Sequence, residues 1–308
     1  MTWRDNHQDG EHEEESFFVS MSDIMVGLLF IFIILVVFFV LQVRIEVEKF
    51  EDLTAECSAD EDETSEGDVL GAYRTKVGNQ RTEILEGLKS FFAREGFTEI
   101  EIDTSNGVLR FPDGVLFGSG QYEFEEGTRT DAAVVTLANA LAEVLPCSVL
   151  SKNGVPFKAR DLCEHEVTEF SNSNNAFVEA VYIEGHTDND AILPGGLRGD
   201  ANIDSNLKLS ARRATNTYER VTGLRAEIAN FFGLTAVQDA IRVEPAIAVS
   251  GYGEQRPIAN NDDLGAKKIN RRIDVRIVMY QPYDYRSLKL LRQHLDGSAG
   301  GGAHDEMD

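Results

Sequence analysis

Positive charge is scarce in this chain. Of its 308 residues, 29 are Lys or Arg against 53 Asp or Glu, a formal net charge of −24. Nucleic-acid binding needs a basic footprint that displaces counterions, so that class is excluded. Adhesion to anionic lipid surfaces is disfavoured for the same reason. Cysteine is scarce too. Cys57, Cys147 and Cys163 show no CxxC or Cys/His spacing that would hold zinc, and no metal site is expected. If the residues after the apolar block lie in an oxidising compartment, a disulfide is permitted. Cys147 and Cys163 flank a loop-like insertion and are the candidate pair, with reduced thiols as the alternative. Cys57 is then left over, free or bridging two protomers.

Long hydrophobic runs are absent, with one exception. Ile24–Leu41 carries no charge, and 17–43 holds a single ionisable residue, Asp23. A helix of that length reaches about 40 Å, against about 30 Å of hydrocarbon core, so it spans a bilayer with some tilt. A cleaved signal peptide fits poorly: the segment before the run is acidic, the run is too long and no A-x-A site follows. Arg4 precedes the run while Arg44 and Lys49 follow it, which by charge alone weakly places the C-terminal side in the cytoplasm.

Asp23 is the residue of most interest there. An aspartate inside a span costs about 2.5–3.5 kcal/mol and faces a protein interior or a polar path. Ser16, Ser20, Asp23 and Gly27 recur at helical spacing and form one small, polar face, with Ser22 beside it. Enclosed by a neighbouring helix, the carboxyl could alternate between a neutral protonated form and a charged form. The plainer reading is a helix N-cap at the membrane interface. The transported ion is expected to be H⁺, since one carboxylate with the Ser20 and Ser22 hydroxyls is a sparse shell for a metal ion.

Five segments follow from composition: an acidic tail (1–16), the membrane helix (17–43), an acidic linker with an amphipathic helix (44–98), an α/β domain (99–282) and a short helix with a Gly-rich acidic tail (283–308). From Glu46 to Asp68 like charges repel and extend the chain. Leu70, Val77, Ile84, Leu88 and Phe91 predict a helix over 69–94 that packs on its own domain, forms a dimer seam, or does both. Strands are predicted at 99–103, 107–111, 180–184, 246–250 and 273–280, with helices at 130–145 and 209–232. Strands alternating with helices and few tight hairpins predict an α/β sandwich with helices on one face of a small sheet. The helix at 283–295 is expected to be peripheral.

Four ordered motifs carry a resemblance. Gly185-His186-Thr187-Asp188, then Asn206 with Leu209-Ser210-Ala211-Arg212-Arg213-Ala214, then Gly251-Tyr252-Gly253-Glu254 with Pro257, then Asn270-Arg271-Arg272 resemble the signatures of the OmpA-like peptidoglycan-binding domain, and Leu116-Phe117-Gly118-Ser119-Gly120 resembles its opening motif. The resemblance implies a ligand, the diaminopimelate-containing stem peptide of peptidoglycan. Such a ligand offers a free ammonium and a free carboxylate. Asp188 would accept from the ammonium and Arg213 would grip the carboxylate as a planar fork. By resemblance Thr187, Asn206, Leu209 and Arg271 complete the pocket. The plainer reading of Asp188 and Arg213 is a salt bridge between loop and helix. His186 is expected to pack and hydrogen-bond. No nucleophile or acid/base pair emerges, so wall hydrolysis is not expected. The chain departs from the family at 146–175 and at 189–205, where the second segment could reshape the pocket.

The wall lies outside the inner membrane, so the resemblance implies a cytoplasmic N-terminus and a periplasmic domain, against the weak charge signal. A span with one acid, a tether and this domain resembles the MotB-type stator subunits of ion-driven motors. In that family two chains thread a ring of MotA-like subunits, roughly five by resemblance, and Asp23 matches the ion-carrying aspartate. Ser22-Asp23-Ile24-Met25-Val26-Gly27 departs from the flagellar pattern, and with the acidic tail it more resembles the ZorB family of the Zorya anti-phage defence system, whose ring partner is ZorA. A flagellar stator subunit, a passive Pal-like tether and an ExbD-like energiser are the competing readings.

Overall fold

The computed structural model describes residues 29–42, 63–159, 162–163, 172, 174–193, 195–197, 200–237 and 240–300. It divides into two compact units, Met1–Ser65 and Glu66–Asp308. In the first, residues 29–42 form helix α1, and every apolar side chain from Leu29 to Leu41 is exposed. Among the described residues no helix is both long and apolar enough to cross a membrane. The expected span is described only over 29–42, and Ser20, Ser22 and Asp23 lie outside the described residues, as does Cys57.

The second unit is built on a five-stranded mixed sheet in the order β1-β2-β7-β3-β6. Its strands are β1 (Glu101–Asp103), β2 (Val108–Phe111), β3 (Val178–His186), β6 (Ile247–Gly251) and β7 (Arg272–Met279). All pairings are antiparallel except β3 with β6. Strand β7 shows why the sheet has two unlike faces. Ile273, Val275 and Ile277 alternate with Arg272, Asp274 and Arg276, and a period of two sends the apolar set to one face and the charged set to the other. The apolar face meets helices α2 (Glu63–Arg94), α3 (Arg129–Val144) and α4 (Asn206–Leu224) in one core. Phe92 of α2 meets Phe111 of β2 edge to face, with centroids 5.0 Å apart. Such a pair adds about 0.5–1.5 kcal/mol beyond its burial.

Helix α3 behaves as its composition directs. Thr128 caps it by accepting from the Asp131 N–H at 3.2 Å, a contact worth about 1 kcal/mol. Its expected stripe, Val134, Leu137, Leu141 and Val144, is buried throughout. Helix α2 starts six residues before the expected Val69 and packs on its own domain. Val77, Ile84 and Leu88 enter the core with Leu85 and Phe92.

Two expectations are corrected. Residues 209–232 do not form one helix. Helix α4 ends at Leu224, a 3-10 turn covers Ala226–Asn230, and the chain then makes a tight hairpin of β4 (Phe232–Val237) and β5 (Ala240–Pro245). The apolar residues Ile228, Phe231 and Phe232 extend the helical pattern, but the hairpin buries Leu234 against the core and lays Gly233 close to the Glu179 backbone. A short helix, α5 (Leu264–Asn270), was not expected at all. The last helix, α6 (Tyr285–Gly300), is not peripheral, because Leu288 and Leu291 are fully buried in the main core.

The insertion at 146–175 is stapled by a disulfide between Cys147 and Cys163. Asn172 ties the same region together, donating to the Cys147 and Ala176 carbonyls at 2.9 Å each.

Candidate functional site

The ends of three adjacent strands converge at one end of the sheet. The register pairs His186 of β3 with Arg272 of β7, and Phe111 of β2 with Ile273 of β7. Continuing each ladder by one or two residues brings Thr187 and Asp188, Arg271, and Asp113 to the same place. The parallel pairing of β3 with β6 matches Gly185 to Gly251, so the Tyr252-Gly253 turn joins them. The Thr187 N–H donates to the Gly253 carbonyl at 3.0 Å, and the Tyr252 N–H to the Gly185 carbonyl at 3.0 Å.

Helix α4 lies against these strand ends, and the motif glycines make room for it. A Cβ on Gly185 would meet the Ser210 carbonyl oxygen at 2.1 Å, and one on Gly251 would meet the Ala211 nitrogen at 2.5 Å. Ser205 caps the helix, accepting from the Lys208 N–H. Ser210 Oγ accepts from the Gly253 N–H at 2.8 Å and donates to the Leu207 carbonyl. Asn206, Leu209 and Arg213 are thereby fixed over the strand ends.

A cleft of about 300 Å³ opens there, and all six residues singled out in the sequence line it: Thr187, Asp188, Asn206, Leu209, Arg213 and Arg271. Asp188 and Arg213 do not form the loop-to-helix bridge that was the plainer alternative. Asp188 pairs with Arg271, Nη1 to Oδ2 at 2.5 Å. Arg213 instead donates Nε to the Gln121 carbonyl at 2.7 Å and Nη2 to the Gly118 carbonyl at 3.1 Å. The loop of the opening motif thus orients Arg213 through its backbone. Burial pushes the Arg213 guanidinium down to about 10, with the Asp113 and Asp188 charges opposing the shift, so it stays charged at neutral pH. Arg271 is held above the usual guanidinium range, first by its hydrogen bond to Asp113. Thr187 Oγ1 is buried without a partner among the described residues. Asn206 Nδ2 donates to the Asp188 and Asp190 carbonyls at 3.2 and 3.0 Å.

Residues of the segment after Asp188 line the cleft. Ile192, Leu193 and Leu197 supply an apolar wall, Asp190 pairs with Lys267 of α5, and Tyr122 Oη donates to Asp200 at 3.2 Å. Asp113, Asp190 and Lys267 were missed in the sequence. Only the strand register brings Asp113 to Arg271, from 158 positions away.

The other motif residues are structural. Asn270 Oδ1 accepts from the Ile258 and Ala259 N–H groups at 2.9 and 3.0 Å and pins the loop before α5. Arg272 binds Asp274 at 2.9 Å and donates to the Arg256 carbonyl. His186 packs as expected, stacked on Tyr252 with centroids 5.2 Å apart. It does not hydrogen-bond as expected: neither ring nitrogen has a hydrogen-bond partner among the described residues, and Nε2 lies 3.7 Å from Asp274 Oδ2. Burial first, then Arg272, Arg276, Arg110 and Arg256, push its imidazole down to about 3.

Among the described residues, Glu184, His186 and Asp274 bring ligand-type atoms within 4.8 Å of one another. Their carboxylates are already committed. Arg276 grips Glu184 at 2.7–3.1 Å, and Arg272 and Arg110 bind Asp274 at 2.9 and 3.3 Å. A cation entering beside three guanidinium groups would be repelled, so the cluster is an ion-pair network beneath the sheet.

No protein-family model matches the chain, and no curated protein matches it. Among solved structures it is similar to a putative MotB-like protein from Desulfovibrio vulgaris, at 20% identity over 68% of this chain and 98% of that one, with a TM-score of 0.42. It is similar to the cell wall anchor of the T6SS from Pseudomonas aeruginosa, at 17% identity over 63% and 97% of the two chains, with a TM-score of 0.40. The periplasmic domain of Helicobacter pylori MotB is similar at 16% identity over 60% and 83%, with a TM-score of 0.35. All three scores fall below one half.

Proposed function

We propose that the cleft binds the diaminopimelate-containing stem peptide of peptidoglycan and that the domain anchors the chain to the cell wall from the periplasm. The observation that carries this reading is the grouping of Asp188, Arg213 and Arg271 around one cleft. An anion and fixed cations side by side suit a ligand end that carries both an ammonium and a carboxylate. Asp188 takes the ammonium and Arg213, held by two carbonyls, presents its fork to the carboxylate. The Cys147–Cys163 disulfide supports an oxidising compartment.

Joined to the apolar segment with its single acid, the domain is read as the wall-anchored, single-pass inner-membrane subunit of an ion-driven motor, with Asp23 carrying H⁺. The chain works as a homodimer inside a MotA-like ring, and the sequence around Asp23 favours the ZorB type with a ZorA partner. The test of the cleft is co-sedimentation with isolated sacculi. Asp188→Ala should reduce retention about tenfold or more, since it leaves the ligand ammonium unpaired. Retention equal to the parent chain would show that the cleft is not the wall-binding site.

A further inference from the structure

Arg271 is forked between two carboxylates. Its Nη1 meets Asp188, and its Nη2 meets Asp113 Oδ2 at 2.8 Å. Asp113 comes from the loop after β2, and its second oxygen is buried with no partner among the described residues. All three side chains are at most 15% exposed. With Arg213 the group holds two cations and two anions, so it is neutral when empty. A ligand end bearing one ammonium and one carboxylate keeps it neutral when filled.

That balance leaves a competition. Asp188 is already the partner of Arg271, so an incoming ammonium must draw it away. If Asp188 were the sole counter-ion of Arg271, its transfer would strand a guanidinium that is only 14% exposed, which is unfavourable. Asp113 removes that obstacle because it stays bonded to Arg271 when Asp188 turns to the ligand. We propose that Asp113 is a positioning residue of the cleft: it holds Arg271 in place and leaves Asp188 exchangeable, and thus available to a ligand ammonium. It does not touch the ligand itself. This rests on the binding role assigned to the cleft.

The test measures binding of a soluble tripeptide ending in meso-diaminopimelate to the purified full-length chain, with thermal melting as a check on folding. Asp113→Asn is expected to weaken binding about tenfold, while Asp113→Glu, which keeps the charge, returns it to within about threefold. A purely structural position would not distinguish the two by charge. In an Arg271→Gln background, Asp113→Asn should change affinity no further, because the guanidinium it holds is gone. This pair removes one charge of each sign and so remains informative if Asp113→Asn alone does not fold. An additional tenfold loss in that background would overturn the proposal, as would parent-like binding by Asp113→Asn. If the parent chain does not bind the tripeptide, or Asp188→Asn binds it as well as the parent, the cleft reading itself fails and the role of Asp113 falls with it. Loss of binding in Asp188→Asn beside parent-like binding in Asp113→Asn removes only the role given to Asp113.

Discussion

His186 shows how one residue can be read correctly in place and incorrectly in chemistry. The Gly-His-Thr-Asp motif located it at a strand end. What surrounds it depends on β7 and β2, which bring Arg272, Arg276 and Arg110 from distant parts of the chain. The physical consequence is an acid sensitivity. The unfolded imidazole titrates near 6.5, and the folded one at about 3. Between those values the unfolded chain holds a proton that the folded chain does not. The contribution is therefore intact above pH 6.5 and is lost as pH falls toward 3. His186→Gln should lose less melting temperature than the parent chain between pH 7 and pH 4. Identical losses would assign the acid sensitivity to other groups.

At the level of elements, legibility tracked how far each signal depends on distant partners. β7 and α3 were readable because their alternation and stripe are local, and each lies within a residue or so of its expected bounds. The β4–β5 hairpin was not, because its strands are defined by pairing with each other rather than by a local apolar period. The six cleft residues were legible from ordered motifs, whereas Asp113 was not, since it belongs to no motif and acts through register. The motif glycines carry the clearest prediction at this scale. Gly185→Ala puts a methyl group 2.1 Å from a backbone oxygen of α4, and neither helix nor strand can yield cheaply. Destabilisation of about 2–3 kcal/mol is expected in urea unfolding, with loss of wall binding as α4 is displaced. Parent-like stability would mean that α4 does not seat against β3 as described.

For the whole molecule, the proposal couples a grip on the wall to an ion path at the other end of the chain. The two are separable. Asp23→Asn keeps a polar side chain of similar size but cannot carry a proton, so it should abolish motor-dependent activity, read as phage resistance, while expression, membrane insertion and sacculus retention stay at parent levels. Full activity in that variant would reduce the chain to a passive tether.

The staple between Cys147 and Cys163 sets an order of events in the life of the chain. Thiols are kept reduced in the cytosol and join only after export. Under the periplasmic placement proposed above, the Cys147–Cys163 bond therefore closes only after the domain has crossed the bilayer. A copy retained inside the cell would keep both thiols, and would be told apart from an exported one by thiol label on Cys147 and Cys163 in addition to any on Cys57.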